Sequence, residues 1–250
     1  MVSLVTLLTD FGTADGYVAE MKGELLTHAP DAAIIDVSHE IRAHDVVQAR
    51  DAVGRYWQRF PVGTVHIVVV DPGVGTGRAA IAVCADHRFL IAPDNGVLTA
   101  PLQCPGATAV RLNIPSGASP TFHGRDVFAP VAAALLVGTP LVQVGAPHPH
   151  PILLPVPTPV RFADGIVGEV VSIDRFGNAI TNIDDVPAES ATCDVHGHVL
   201  PVRRTYGDVE VGAALVLRGS SGHLEVAVRD GSAAERLGLE RGMTVRVSPV

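Results

Sequence analysis

Hydrophobic and polar positions alternate in two different ways along this chain. Residues 4–8, Leu4-Val5-Thr6-Leu7-Leu8, form a short apolar run that stops at Thr9-Asp10-Phe11-Gly12. Such a run predicts a buried strand ending in a polar turn. Residues 16–29 then place Val18, Met21, Leu25 and Leu26 at helical spacing, and Pro30 ends the pattern. A second strand is expected over 32–37 and a second helix over 45–60. Residues 64–70, Thr64-Val65-His66-Ile67-Val68-Val69-Val70, are the strongest strand in the chain, cut off by Asp71-Pro72-Gly73. Residues 79–85 and 88–92 read as paired strands, and 126–136 as a third helix closed by Gly138. Strands alternating with helices predict an α/β fold with a mainly parallel central sheet. Ligands of such sheets sit beyond the carboxyl ends of the strands, where Asp10 and Asp71 fall.

Past residue 146 the pattern changes. Pro147, Pro149, Pro151, Pro155, Pro157 and Pro159 oppose both helix and central strand and favour an extended connector. From 161 onward come short strands between Gly and Asp turns: 165–173, 192–195, 198–202, 214–218, 223–228 and 243–247. These predict a small β-barrel or sandwich. We therefore expect an α/β domain over 1–146, a Pro-rich linker over 147–160 and a C-terminal β-domain over 161–250.

Composition narrows the function. Hydrophobic residues at 47% and charged residues at 18% indicate a globular protein. A net charge of -8 argues against nucleic-acid or anionic-membrane binding, because phosphate contacts need clustered cations. No apolar run approaches the roughly 20 residues of a membrane span. Lys22 is the only lysine, which argues against P-loop and Schiff-base chemistry. Cys84, Cys104 and Cys193 are scattered without a CxxC pair, so a zinc site or disulfide framework is not expected, and a reducing cytoplasm suits them.

Several motifs are candidates for chemistry. Residues 71–78, Asp-Pro-Gly-Val-Gly-Thr-Gly-Arg, are glycine-rich but lack the P-loop ending, and the next segment reads as a strand. Asp10-Phe11-Gly12 matches a kinase tripeptide without the rest of the kinase set. Thr121-Phe122-His123-Gly124-Arg125-Asp126 precedes the third helix, with Asp126 as its N-cap or first-turn acid. Asp71, Arg78 and His123 are chemically complementary: a carboxylate, a guanidinium and an imidazole can orient and polarise one water. Pro93-Asp94-Asn95-Gly96 and Gly219-Ser220-Ser221-Gly222 read as turns. Asp174-Arg175-Phe176-Gly177-Asn178 reads as a hairpin turn by itself, or as an aromatic ring beside amide and carboxylate groups that suit a purine. His148 and His150 form a His-x-His pair within the linker and read as solvated.

Taken in order, these motifs resemble the S-adenosyl-L-methionine (SAM) hydroxide adenosyltransferases, the adenosine-forming SAM hydrolases, and more distantly the SAM-dependent fluorinase and chlorinase. The resemblance rests on residues 9–12, 69–75, 92–96, 121–126, 174–178 and 220–222. It implies an N-terminal α/β domain, a C-terminal β-barrel, and a homotrimer with SAM bound between subunits. It implies that Asp71, Arg78 and His123 position the attacking water and that Asp10 holds the ribose diol. Asp174 and Ser220 match groups that hold the methionine amine and carboxylate, and Phe176 and Asn178 match adenine-side contacts. The halogenases carry tyrosine at the position of Asp71 and serine at that of Gly124, and lack the histidine. This chain departs from the fluorinase again at Val228, where arginine stands on the adenine side. The expected reaction is hydrolysis of SAM to adenosine and L-methionine, with SAM as substrate and neither cofactor nor metal. The alternatives are a non-catalytic SAM or adenosine sensor and a halide-using adenosyltransferase.

Overall fold

The computed structural model describes residues 3–185 and 191–248. The chain divides into two compact units, Met1–Leu154 and Pro155–Val250. The cut falls inside the Pro-rich segment.

The first unit is built on one mixed sheet. Its strands are β1 (Leu4–Thr9), β2 (Ala33–Ser38), β3 (Val65–Val69), β4 (Ala80–Ala85), β5 (Arg88–Pro93), β6 (Thr108–Leu112) and β7 (Gly145–Pro147), in the order β2-β1-β3-β5-β4-β6-β7. The first four in that order run parallel. β4, β6 and β7 continue the sheet with antiparallel pairings, β4 and β5 forming the expected hairpin. Helices α1 (Tyr17–His28), α2 (Val46–Tyr56), α3 (Thr99–Leu102), α4 (Ala129–Leu136) and α5 (Leu141–Val144) complete the unit.

β1 and β3 are apolar nearly throughout because both their faces are covered. Val5, Leu7, Val65 and Ile67 pack with Met21 and Leu25 of α1 and Ala132 of α4. Leu8, Val68 and Val70 pack on the opposite side with Val53 of α2 and with Trp57 and Leu98. Asp45 caps α2 by accepting from the Gln48 amide at 2.8 Å. The helix ends in a tight turn, Trp57–Arg59, rather than as regular α-helix to residue 60. The third predicted helix begins two residues earlier than expected. Gly124–Phe128 form a π-helical turn that runs into α4. Asp126 stands in its first turn and accepts from the Ser119 amide at 2.7 Å.

The segment 93–96 is a turn with a second purpose. Asp94, only 5% exposed, accepts from Nε2 of His148 and from the amide of Ile152, both at 2.8 Å. It thus clasps the start of the Pro-rich segment against the sheet. The expectation that His148 is solvated is corrected: the buried carboxylate offers it a charge-assisted hydrogen bond that water cannot match. His150 is exposed.

The second unit contains β8 (Val160–Phe162), β9 (Gly165–Ile173), β10 (Ala179–Thr181), β11 (Thr192–Val195), β12 (His198–Pro201), β13 (Ala214–Arg218), β14 (Leu224–Val228), α6 (Ala233–Leu237) and β15 (Thr244–Ser248). The strands run in the order β12-β11-β15-β9-β10-β14-β13, with β8 added to β9. A bridge between Val202 and Val216 joins the two ends, so the sheet is barrel-like and nearly closed. Closure removes open edges and encloses Val170, Ile183, Val226 and Val245. Residues 174–178 and 219–222 are hairpin turns, as their compositions predict.

Asp94→Ala removes the acceptor from both His148 and Ile152. It should lower the stability of the protein by roughly 1–3 kcal/mol, read as a shift of the urea midpoint. Asp94→Asn, which keeps one acceptor oxygen, should cost less.

Candidate active site

β1 and β3 are parallel neighbours, and their register sets Thr9 beside Val69. Asp10 and Asp71 therefore emerge at the same end of the sheet. Both line a cleft of about 320 Å³, together with Phe11, Tyr17, His44, Phe122, His123 and Gly124. That volume lies at the small end of the range for ligand sites.

The turn after β3 folds back on itself. The Val74 amide donates to the Asp71 carbonyl and the Thr76 amide to that of Gly73, both at 3.2 Å. Gly75, at φ +75°, lies so close to the next loop that a Cβ would sit 2.6 Å from the Pro120 carbonyl oxygen. A side chain is excluded there on both grounds. This return brings Arg78 onto Asp71 as a two-pronged pair, with Nε donating to Oδ1 at 2.9 Å and Nη2 donating to Oδ2. The same Nη2 reaches Nδ1 of His123 at 2.9 Å. The Asp71 and Arg78 side chains are only 6% and 10% exposed. The Arg78 guanidinium also lies 5.7 Å from the ring centre of Phe128.

This contact fixes the His123 tautomer. A guanidinium can only donate, so Nδ1 must offer its lone pair, and the proton of the neutral ring lies on Nε2. The pKa of His123 is lowered from 6.5, first by burial and then by the adjacent Arg78 charge, against the opposing pull of Asp71. His123 is thus a neutral hydrogen-bond donor held by Arg78. Asp71 keeps lone pairs that Arg78 does not use, since an ionised carboxylate accepts about four hydrogen bonds.

Asp10 is held differently. Its Oδ2 accepts the backbone amide of His44 at 2.8 Å. His44 is in the left-handed region at φ +67°, uncommon outside glycine and a form of strain found at functional sites. Phe11, Tyr17 and Phe122 form an edge-to-face aromatic cluster along the cleft, with ring centres 5.5–5.9 Å apart. The sequence reading did not single out Tyr17 or His44. Nothing local marks Tyr17, and the only trace of His44 is its place before the N-cap Asp45.

The other expected site residues lie together in the second unit. Asp174 Oδ1 accepts the amides of Phe176 and Asn178, both at 2.9 Å, and Oδ2 accepts from Asn178 Nδ2 at 3.0 Å. Asn178 Nδ2 is 3.5 Å from the Tyr206 hydroxyl, which donates to Glu225. Burial and the Glu225 bond push the Tyr206 pKa up. Gly219 packs on that carboxylate so closely that a Cβ would collide with it. One polar network thus backs both turns, with Asp174 and Asn178 inside it. Phe176, 77% exposed, and Ser220 stand at the surface. Tyr206 and Glu225 are network members that the sequence motifs did not reveal. Val228 is buried on β14. Among the described residues, no group of three or more His, Cys, Asp or Glu is placed to hold a metal ion. No helix among them is long and apolar enough to cross a membrane.

The chain is similar over nearly its whole length to known proteins. The profile of the SAM hydroxide adenosyltransferase N-terminal domain matches residues 5–145, and that of the C-terminal domain matches residues 168–246. A protein of Thermus thermophilus named (R)-S-adenosyl-L-methionine hydrolase is 42% identical, over 97% of this chain and 98% of its own. One of the same name from Salinispora tropica is 39% identical, over 98% and 97%. A fluorinase of Actinopolyspora mzabensis is 29% identical, over 98% and 97%. The crystal structure of a conserved Thermotoga maritima protein superposes with a TM-score of 0.89 at 35% identity, covering 98% of this chain and 99% of that one.

Removing the neighbouring positive charge should release His123. In Arg78→Met the His123 pKa should rise, read by NMR titration of the imidazole. In the wild type the depressed pKa makes a contribution to stability that is present above the unfolded value of about 6.5 and is lost as the pH falls through the folded value.

Proposed function

The chain belongs to the SAM hydroxide adenosyltransferase family, and we propose that it hydrolyses S-adenosyl-L-methionine to adenosine and L-methionine. The observation that carries this reading is the Asp71–Arg78–His123 constellation in the same cleft as Asp10. The relatives' names support the (R)-configured sulfonium as the substrate form.

The sulfonium is a good leaving group because it departs as a neutral thioether. A water oxygen attacks ribose C5′, the C5′–S bond breaks, and its electron pair stays on sulfur. Bulk water has a pKa of about 15.7, so free hydroxide is scarce at neutral pH. The site offers orientation and polarisation instead. Asp71, oriented by Arg78, accepts one water proton and raises electron density on the oxygen. His123 donates through Nε2–H to one lone pair, which leaves the other aimed at carbon. This tautomer supports His123 as an orienting donor more than as the base. Asp10 binds the ribose diol and fixes C5′ against the water.

Asp174 and Ser220 hold the methionine amine and carboxylate, and Phe176 and Asn178 flank adenine. The family resemblance supports a reading in which these groups act across a subunit boundary, and the proposed assembly is a homotrimer, in the cytoplasm. A sensor would need the binding groups but not the Asp71–Arg78–His123 set. A halide-using enzyme would not need to polarise a water.

Asp71→Asn and His123→Ala should each lower adenosine release by roughly 10²–10⁴-fold, while calorimetry still detects SAM binding. Chromatography after incubation of the wild type with both SAM epimers and chloride should show adenosine formed from the (R) epimer. 5′-Chloro-5′-deoxyadenosine would instead identify a halide enzyme, and no product a sensor.

A further inference from the structure

We propose that His39 is a positioning residue for Asp10, acting through the hydroxyl of Thr9. The inference rests on the reading of Asp10 as the ribose ligand. His39 does not line the cleft, and the mechanism above does not use it. Yet it is only 5% exposed, and Thr9 is fully buried.

His39 grips the turn that carries Asp10 from two sides. Its Nδ1 lies 2.9 Å from Oγ1 of Thr9, the residue before Asp10. Its carbonyl accepts the amide of Gly12 at 2.8 Å. Between these grips, Thr9 Oγ1 accepts the amide of Phe11, the residue after Asp10, at 3.2 Å. Asp10 is therefore flanked on both sides by contacts that run through one hydroxyl and one histidine.

The polarity of the chain is consistent throughout. Nε2 of His39 lies 3.1 Å from Oδ1 of Asp36, close enough for attraction though not aligned as a hydrogen bond. A carboxylate beside Nε2 favours the tautomer with its proton there. Nδ1 then accepts, the Thr9 hydroxyl donates to it, and the same oxygen receives the Phe11 amide. Lys22, the chain's only lysine, donates to the other Asp36 oxygen at 2.6 Å. The relay thus starts at a half-exposed ion pair and ends at the turn of the cleft. Apart from the unaligned His39–Asp36 contact, each link is a hydrogen bond, and hydrogen-bonded groups in series polarise one another. With both grips in place, the Asp10 carboxylate reaches the His44 amide and keeps its other oxygen for a ligand.

The test is the preference for a ribose with its 2′-hydroxyl. Adenosine and 2′-deoxyadenosine are titrated by calorimetry into the wild type, Thr9→Val, Thr9→Ser, His39→Gln and Asp10→Ala, with melting curves to verify folding. The wild type should prefer adenosine by roughly tenfold or more, and Asp10→Ala should lose that preference. Thr9→Val and His39→Gln should lose most of it, and Thr9→Ser, which restores the hydroxyl, should keep it. With SAM, Thr9→Val and His39→Gln should raise KM and also lower kcat, because a displaced Asp10 sets C5′ less well against the water. Folded Thr9→Val and His39→Gln proteins with wild-type preference would overturn the inference and leave the ribose reading standing. A wild type with no preference would overturn both. If neither variant folds, the half-exposed Asp36→Asn decides: a weakened preference supports the relay, and an unchanged one overturns it.

Discussion

The guanidinium of Arg78 donates to Asp71 and to His123 at once, and the neighbouring structure is arranged around that double contact. The turn 71–78 returns on itself to deliver it, and Phe128 gives it an aromatic surface. Without it, Asp71 would be a nearly buried carboxylate lacking a partner, a costly state. His123 would lose the contact that fixes its tautomer. The pair also changes the charge of the cleft. Asp71 is balanced by Arg78, whereas Asp10 has no ion-pair partner among the described residues. Of the two carboxylates that line the cleft, only that of Asp10 is thus unbalanced, which suits a substrate that carries a sulfonium.

Much of this was legible in the sequence, for identifiable reasons. Long apolar runs bounded by Asp and Gly read directly as β1 and β3, because burial on both faces leaves no polar alternation. The placing of Asp10 and Asp71 together needed only the rule that parallel strands share one carboxyl end. The hairpins at 174–178 and 219–222 carry their turn residues in plain view. Short elements were lost: α3, β7 and β10 are held by tertiary pairing, and three or four residues carry too little periodicity to announce themselves.

The less legible part of the structure consists of long-range polar contacts. Asp94 meets His148 across 54 residues, and Thr9 meets His39 across 30. No local pattern encodes such pairs, and at His148 a proline-rich segment suggests solvent where the fold supplies a buried carboxylate. The left-handed backbone at His44 is equally silent, since histidine tolerates it without requiring it. The family motifs include Asp174 and Asn178 but not Tyr206 and Glu225, which join the same polar network from separate stretches of chain.

The close approach of Gly75 to Pro120 couples two loops. The loop carrying Asp71 and Arg78 meets the loop leading to His123 where one partner has no side chain and the other presents its backbone oxygen. Val74 and Thr121 flank this contact and line the cleft. A side chain forced in at Gly75 would push the two loops apart, and Asp71 and His123 would part with them. One glycine thus keeps two loops distant in sequence in mutual alignment.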